Sequence, residues 1–249
     1  AVGWGEVVFY LVNDYIVARF LSNGSLDGSF GTHNGYTNIE FEDDDYANHL
    51  AVETDGDLVV AGKSQTCTSA NCEDMSIVKL KANGQIDLGF GSTGTGKILW
   101  KTAPHTGEAI IYSLLLQNIQ GEEHIILAGR HEPDTDEYAG FIWRMRNNGN
   151  TESWGGSSIG FVSLPEAPYV HAELHDSKVV LSYPAISFSG SNIYSTTKLM
   201  RRKSDGTLDT SFDYDGYFDH QVGAYIDLPQ GVRVHGNKIY AFGAVSADE

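Results

Sequence analysis

Apolar residues in this chain fall in short runs separated by glycine- and acid-rich turns. Leu58-Val-Val-Ala-Gly62 is a continuous run of the kind a buried strand carries, and Met75-Ser-Ile-Val-Lys-Leu80 alternates as a strand with one polar face does. Asp55-Gly56-Asp57 precedes the first run and Asn83-Gly84 follows the second. Both tolerate the positive φ angles of tight hairpins. With His49-Leu-Ala-Val-Glu-Thr54 ahead and Lys97-Ile-Leu-Trp100 behind, these predict four antiparallel strands in a row. The order recurs. Ile125–Gly129, Val179–Tyr183 and Ile239–Gly243 repeat the second strand, and Tyr15–Phe20, Gly140–Met145 and Thr196–Met200 repeat the third. No segment shows a convincing apolar period of 3.6, so almost no helix is expected.

A phrase closes each third strand. Asn23-Gly24-Ser-Leu-Asp27-Gly-Ser-Phe30-Gly31 returns as Asn83-Gly84-Gln-Ile-Asp87-Leu-Gly-Phe90-Gly91. It returns again as Asn148-Gly149-Asn-Thr-Glu152-Ser-Trp154-Gly155 and as Asp205-Gly206-Thr-Leu-Asp209-Thr-Ser-Phe212-Asp213. Gly24, Gly84, Gly149 and Gly206 lie at intervals of 60, 65 and 57 residues. A period of that length marks an array of equal supersecondary units. A lone four-stranded sheet exposes two faces and two edges, and radial stacking covers the faces. The expected fold is therefore an all-β propeller of four-stranded blades. It is read as four blades in one domain, residues 1–249, with part of a larger propeller as the alternative. The units span approximately 1–45, 46–104, 105–167 and 168–222, with 223–249 as candidate strands to complete the first blade. Val7–Tyr10 and Ile239–Gly243 both read as second strands, one more than a closed four-bladed ring needs.

The string from Leu58-Val-Val-Ala-Gly62 through Ser76-Ile-Val-Lys-Leu-Lys-Ala-Asn-Gly-Gln-Ile-Asp-Leu-Gly-Phe-Gly91 resembles the delta-60 repeat. The likeness extends over roughly residues 5–245. It implies a bacterial β-propeller, secreted or on the cell surface, and no particular activity. The third unit departs from the pattern, with Glu152 for Asp, Trp154 for Phe and one residue lost. The fourth has Asp213 where glycine is usual.

Thirty-three acidic against 16 basic residues give a net charge of −17, which disfavours nucleic acid as a partner. No apolar run approaches the ~20 residues of a membrane helix, so no membrane insertion is expected. Residues 1–5 lack the basic region and apolar core of a secretory leader, so any leader is expected to have been removed. Cys67 and Cys72, in a polar loop, are read as a disulfide of an oxidising compartment. Free thiols or a weak metal clip are the alternatives. Extracellular or cell-surface localisation follows.

Candidate chemistry is sparse. Asp27, Asp87 and Asp209, each three residues after a turn glycine, fit turn-fixing carboxylates, and Gly24, Gly84, Gly149 and Gly206 are read as structural turn residues. The run Glu40, Glu42, Asp43, Asp44 and Asp45 offers oxygens to Ca²⁺. The plainer reading is a solvated loop, and the delta-60 repeat also tends to be acidic here. Asp213 and Asp215 resemble the start of a calcium loop without its first acid or its closing Glu. His171, Glu173 and His175 share one face of an expected inner strand, where they form a candidate ligand site lining the axial channel. No nucleophile elbow, phosphate loop or dinucleotide fingerprint is present. The sequence thus favours a secreted, non-catalytic binding or scaffold module without a cofactor (calcium apart), its partner a glycan or a protein. A lectin with sugar sites between blades and a polysaccharide-active hydrolase or lyase are the alternatives.

Overall fold

A computed structural model describes residues 2–7, 12–65, 73–100, 108–132, 138–189, 192–221 and 226–246. Cys67 and Cys72 lie outside the described residues. Seventeen strands are described and no helix. Three make the first sheet: β1 (Val2–Val7), β2 (Val12–Ala18) and β3 (Tyr36–Ile39). The second holds β4 (Asp45–Val52), β5 (Leu58–Gln65), β6 (Glu73–Leu80) and β7 (Lys97–Trp100). The third holds β8 (Ala109–Ile119), β9 (Glu122–His131), β10 (Ala139–Arg146) and β11 (Phe161–Leu164). The fourth holds β12 (His171–His175), β13 (Lys178–Ser189), β14 (Asn192–Arg202) and β15 (Tyr217–His220). A fifth pairs β16 (Asp227–His235) with β17 (Lys238–Val245).

Every ladder is antiparallel between chain neighbours. β2 precedes its phrase as β6 does, so the first sheet holds a unit's second to fourth strands. The last sheet packs on the fourth through β16, and among the described residues no ladder joins β17 to β1. Among the described residues, 227–245 form a two-stranded sheet of their own. Four sheets carry the phrase, one each.

The continuous apolar runs are strands buried on both faces. Val59, Ala61, Met75 and Ile77 pack against Ile125, Leu127, Phe141 and Trp143 of the third sheet. Val60, Val78 and Leu80 turn the other way, onto Tyr15, Val17, Phe30 and Ile39 of the first. Ile126, Ala128 and Ile142 meet Val179, Leu181, Tyr183 and Met200 of the fourth. Burying one such aliphatic side chain contributes about 1.5–3 kcal/mol, so each sheet is held chiefly by the sheets on either side.

The phrase is the joint between sheets. In each copy the Asn or Asp carboxamide or carboxylate accepts the N–H two residues on: Asn23 from Ser25, Asn83 from Gln85, Asn148 from Asn150 and Asp205 from Thr207. The turn glycines take φ of +79° to +85°, a region that costs an L side chain about 1–2 kcal/mol. The residue after the aromatic then reaches the next unit. The Gly31 amide donates to Asn83 O at 2.8 Å, Gly91 to Asn148 O at 2.7 Å, and Gly155 to Asp205 O at 3.2 Å. The aromatics Phe30, Phe90 and Trp154 press on the turn they meet. A Cβ on Gly84 would stand 2.8 Å from Phe30 Cζ, and one on Gly206 2.6 Å from Trp154 Cδ2. In the fourth copy, Asp213 takes the left-handed conformation itself (φ +43°) and meets no such turn among the described residues.

A bulge recurs in the first strand of a unit. The register slips at Ala47/His49, Ile111/Ser113 and Pro229/Gly231. Opposite each slip the second strand carries Gly62, Gly129 or Gly243, and a Cβ there would lie 1.9–2.0 Å from Tyr46 O, Ile110 O or Leu228 O. That close approach is why the second strand carries a glycine at this place. The fourth unit has Tyr183 in this place, and its ladder begins one step later, at His171 opposite Ser182.

Candidate ligand site on the inner strands

The first strands stand side by side, β8 next to β4, β12 next to β8 and β16 next to β12, and line the inner side of the array. Aligned on the bulge, the position that follows it is His49, Ser113, His171 and Gly231 in successive units. These residues stitch the inner seam. His49 Nε2 lies 2.9 Å from Ile111 O, and Ser113 Oγ accepts the Ala172 amide at 2.9 Å.

Between β8 and β12 three rings converge. The Tyr112 centroid is 5.1 Å from that of His171 and 6.2 Å from that of Tyr169, and Tyr169 is 6.0 Å from His171. Tyr112 is the extra residue of the β8 bulge, so the bulge aims its ring off the regular pleat. Charged pairs flank the rings. Glu108 pairs with Arg130, whose guanidinium lies 4.3 Å from the Tyr138 ring centroid. Glu173 lies 3.4 Å from Arg233 of β16.

Burial sets the protonation here. It pushes both phenols, Tyr112 and Tyr169, up from their ordinary value. Burial drives the His171 imidazole down to about 4, helped by the positive charge of Arg233 and by His49. At neutral pH the cluster therefore presents two phenols and an uncharged imidazole. Because the folded-state value lies below the unfolded one, His171 contributes stability that is complete above about pH 6.5. That contribution is lost as pH falls toward about 4. His171→Gln should flatten the acid limb of a urea-midpoint versus pH curve in that window. An unchanged limb would contradict this assignment.

The expected trio of β12 is dispersed. His171 joins the tyrosines, Glu173 turns to Arg233, and His175 keeps a buried Nδ1 without a hydrogen-bond partner. The three do not converge on a common centre. Nor do the acids of the 43–45 run. Asp44 accepts from the backbone and side chain of Asn13, Asp45 is fully buried and accepts the Phe41 amide, and Asp43 is exposed. Burial pushes the Asp45 carboxyl up to about 6. Asp213 and Asp215 are exposed, and Asp215 accepts the Tyr217 amide. In the turns, Asp27, Asp87 and Asp209 accept the amide two residues on, from Ser29, Gly89 and Ser211. Lys178, Ser211 and Arg201 hold the Asp209 carboxyl far below the usual range.

The residues that sequence reasoning missed are His49, Tyr112, Tyr169 and Arg233. For His49 and Tyr112 the one sequence signal is position relative to the Ala-Gly of the following strand; for Tyr169 and Arg233, followed by Ser182-Tyr183 and Phe242-Gly243, even that is lost.

Antiparallel sheets stacked through a repeated joint make this an all-β protein of β-propeller construction. A family model described as a domain of unknown function (DUF5122), beta-propeller, matches residues 8–30 and 53–90. These ranges take in the first phrase as far as Phe30 and the second unit from its hairpin turn to Phe90. The chain is thus similar to a β-propeller repeat family. No curated protein matches it.

Proposed function

We propose that this chain is a non-catalytic binding module of the secreted or surface delta-60 type, its ligand seated on Tyr112, Tyr169 and His171. The carrying observation is that this cluster breaks the repeat. The place of Tyr112 is taken by Asn48, Val170 and Gln230 in the other units, so the rings are not required by the architecture. Partly exposed tyrosines with a neutral imidazole offer apolar faces and hydrogen-bonding edges together, which suits a saccharide ring. The Glu108–Arg130 and Glu173–Arg233 pairs add donors and acceptors at the rim. One asymmetric cluster favours a single site over a lectin's set of equivalent sites.

A glycan array probed with the folded protein tests the proposal. Each ring contributes about 0.5–1.5 kcal/mol beyond its burial. Replacing both tyrosines with alanine should therefore weaken binding of the saccharides captured by the wild type by about tenfold or more. Binding unaltered by the double substitution, or silence across the array, would overturn it.

A further inference from the structure

The hairpin turn between β4 and β5 gathers three carboxylates. One oxygen each from Glu53, Asp55 and Asp57 lies within 4.8 Å of the others, the one such group of three metal-ligating side chains among the described residues. Its anchor is Glu53, whose residue is only 3% exposed and whose side chain is fully buried. Glu53 Oε2 takes the Lys79 ammonium at 2.5 Å, and its other oxygen, Oε1, is buried with no hydrogen-bond partner. Leaving a buried carboxylate oxygen unpaired is costly, and a cation would satisfy it.

The charge count points the same way. Lys79 stands eight residues before Asp87, as Arg19 does before Asp27 and Arg201 before Asp209. Those two arginines bind the Asp of their own phrase at 2.8 Å. Lys79 instead turns to Glu53 and sits 3.9 Å from Asp57. Three carboxylates around one ammonium leave two negative charges, the complement of a divalent ion. Glu123 of the next sheet, bonded to the Thr54 amide and hydroxyl at 3.1 Å, adds a fourth carboxylate close by. The corresponding turns hold Gln120-Gly121, Asp176-Ser177 and Gly236-Asn237, without this trio.

We infer that the Glu53–Asp57 turn binds a hard divalent cation, calcium by preference, through Glu53 Oε1 and the carboxylates of Asp55 and Asp57. Oxygen donors alone select such an ion, and an exposed surface turn suits the larger, geometrically tolerant Ca²⁺ over octahedral Mg²⁺. Asp55 is exposed and gives the entry path, with water completing the shell. The site is separate from the Tyr112 cluster and stands or falls without it.

The test is calorimetric titration of the folded chain with CaCl₂, and with MgCl₂ at matched ionic strength. One saturable Ca²⁺ site is expected, with Kd on the order of 10⁻⁴–10⁻³ M, the range of weak exposed sites. Asp55→Asn should weaken it at least tenfold. Asparagine keeps an oxygen to accept the Asp57 amide, now bonded at 3.0 Å, so the turn itself is retained. Glu53→Gln should abolish binding, but it also strips Lys79 of its partner, so Asp55→Asn is the deciding variant. No saturable heat, equal binding of Mg²⁺, or an unchanged Kd in Asp55→Asn would each overturn the inference.

Discussion

Gly206→Ala should destabilise the protein by about 3 kcal/mol, while Gly24→Ala, the same change at the same place in the phrase, should cost only about 1 kcal/mol. Both glycines hold left-handed φ, +83° and +85°, so the conformational cost is shared. They differ in surroundings. A Cβ on Gly206 would stand 2.4 Å from the Gly155 amide nitrogen and 2.6 Å from the Trp154 ring. To admit it, the third and fourth sheets must separate at their joint, loosening the Gly155–Asp205 hydrogen bond and the indole's bond to Ser204 O at 3.0 Å. Around Gly24 nothing lies within 4 Å. Urea midpoints of the two variants measure the difference. Equal losses would mean that the turn matters only for its own conformation.

Glu152→Ala is expected to cost about 3–5 kcal/mol, the usual consequence of stripping a buried cation of its partner. Glu152 is the departure of the third phrase, and its extra methylene carries the carboxylate inward. Oε1 lies 2.7 Å from Arg144 Nε and 2.8 Å from His124 Nδ1, with all three side chains close to 90% buried. Arg144 goes on to bond Gln117 and Ser204 O, so the network ties the third sheet to the fourth. Removing the carboxylate leaves the guanidinium's charge uncompensated in a site that water hardly reaches. Asp27→Ala breaks the matching pair of the first unit, Arg19–Asp27, where the arginine side chain is 41% exposed. That loss should be much smaller. Thermal denaturation of the two variants side by side checks the ordering, and comparable losses would refute the network's role.

The architecture was legible because its signals are local. Asn-Gly and Asp-Gly turns, the Ala-Gly of the second strand and the Phe-Gly of the phrase each answer a short-range demand: a left-handed φ, a close-packed bulge, an amide reaching the next turn. They recur because the first three copies each make the same joint to the next unit. The unpaired last sheet was half visible, as the surplus second strand at Ile239–Gly243. The candidate site was hardly legible. Its residues come from three inner strands whose hairpins differ in length. Tyr112 is aimed by a bulge, which alternation cannot foresee, since a slip of one residue exchanges the two faces. His171 was found because it sits two residues from Glu173 on one strand. Its partners Tyr112 and Arg233 lie about sixty residues away on either side. In the acidic run at 43–45, the adjacent carboxylates of Asp44 and Asp45 turn to different partners, Asn13 and the Phe41 amide. Glu53, Asp55 and Asp57 converge because a tight turn folds alternate residues back on one another.

The central claim is that the repeated phrase is a joint between sheets. Residue-resolved hydrogen exchange under native conditions tests it most directly. The Gly31, Gly91 and Gly155 amides, each bonded to a carbonyl of the next unit's turn, should exchange only with opening of the packed sheets. Asp213, at the same place in the fourth copy and without that partner among the described residues, should exchange much faster. Equal, rapid exchange at all four positions would contradict the account.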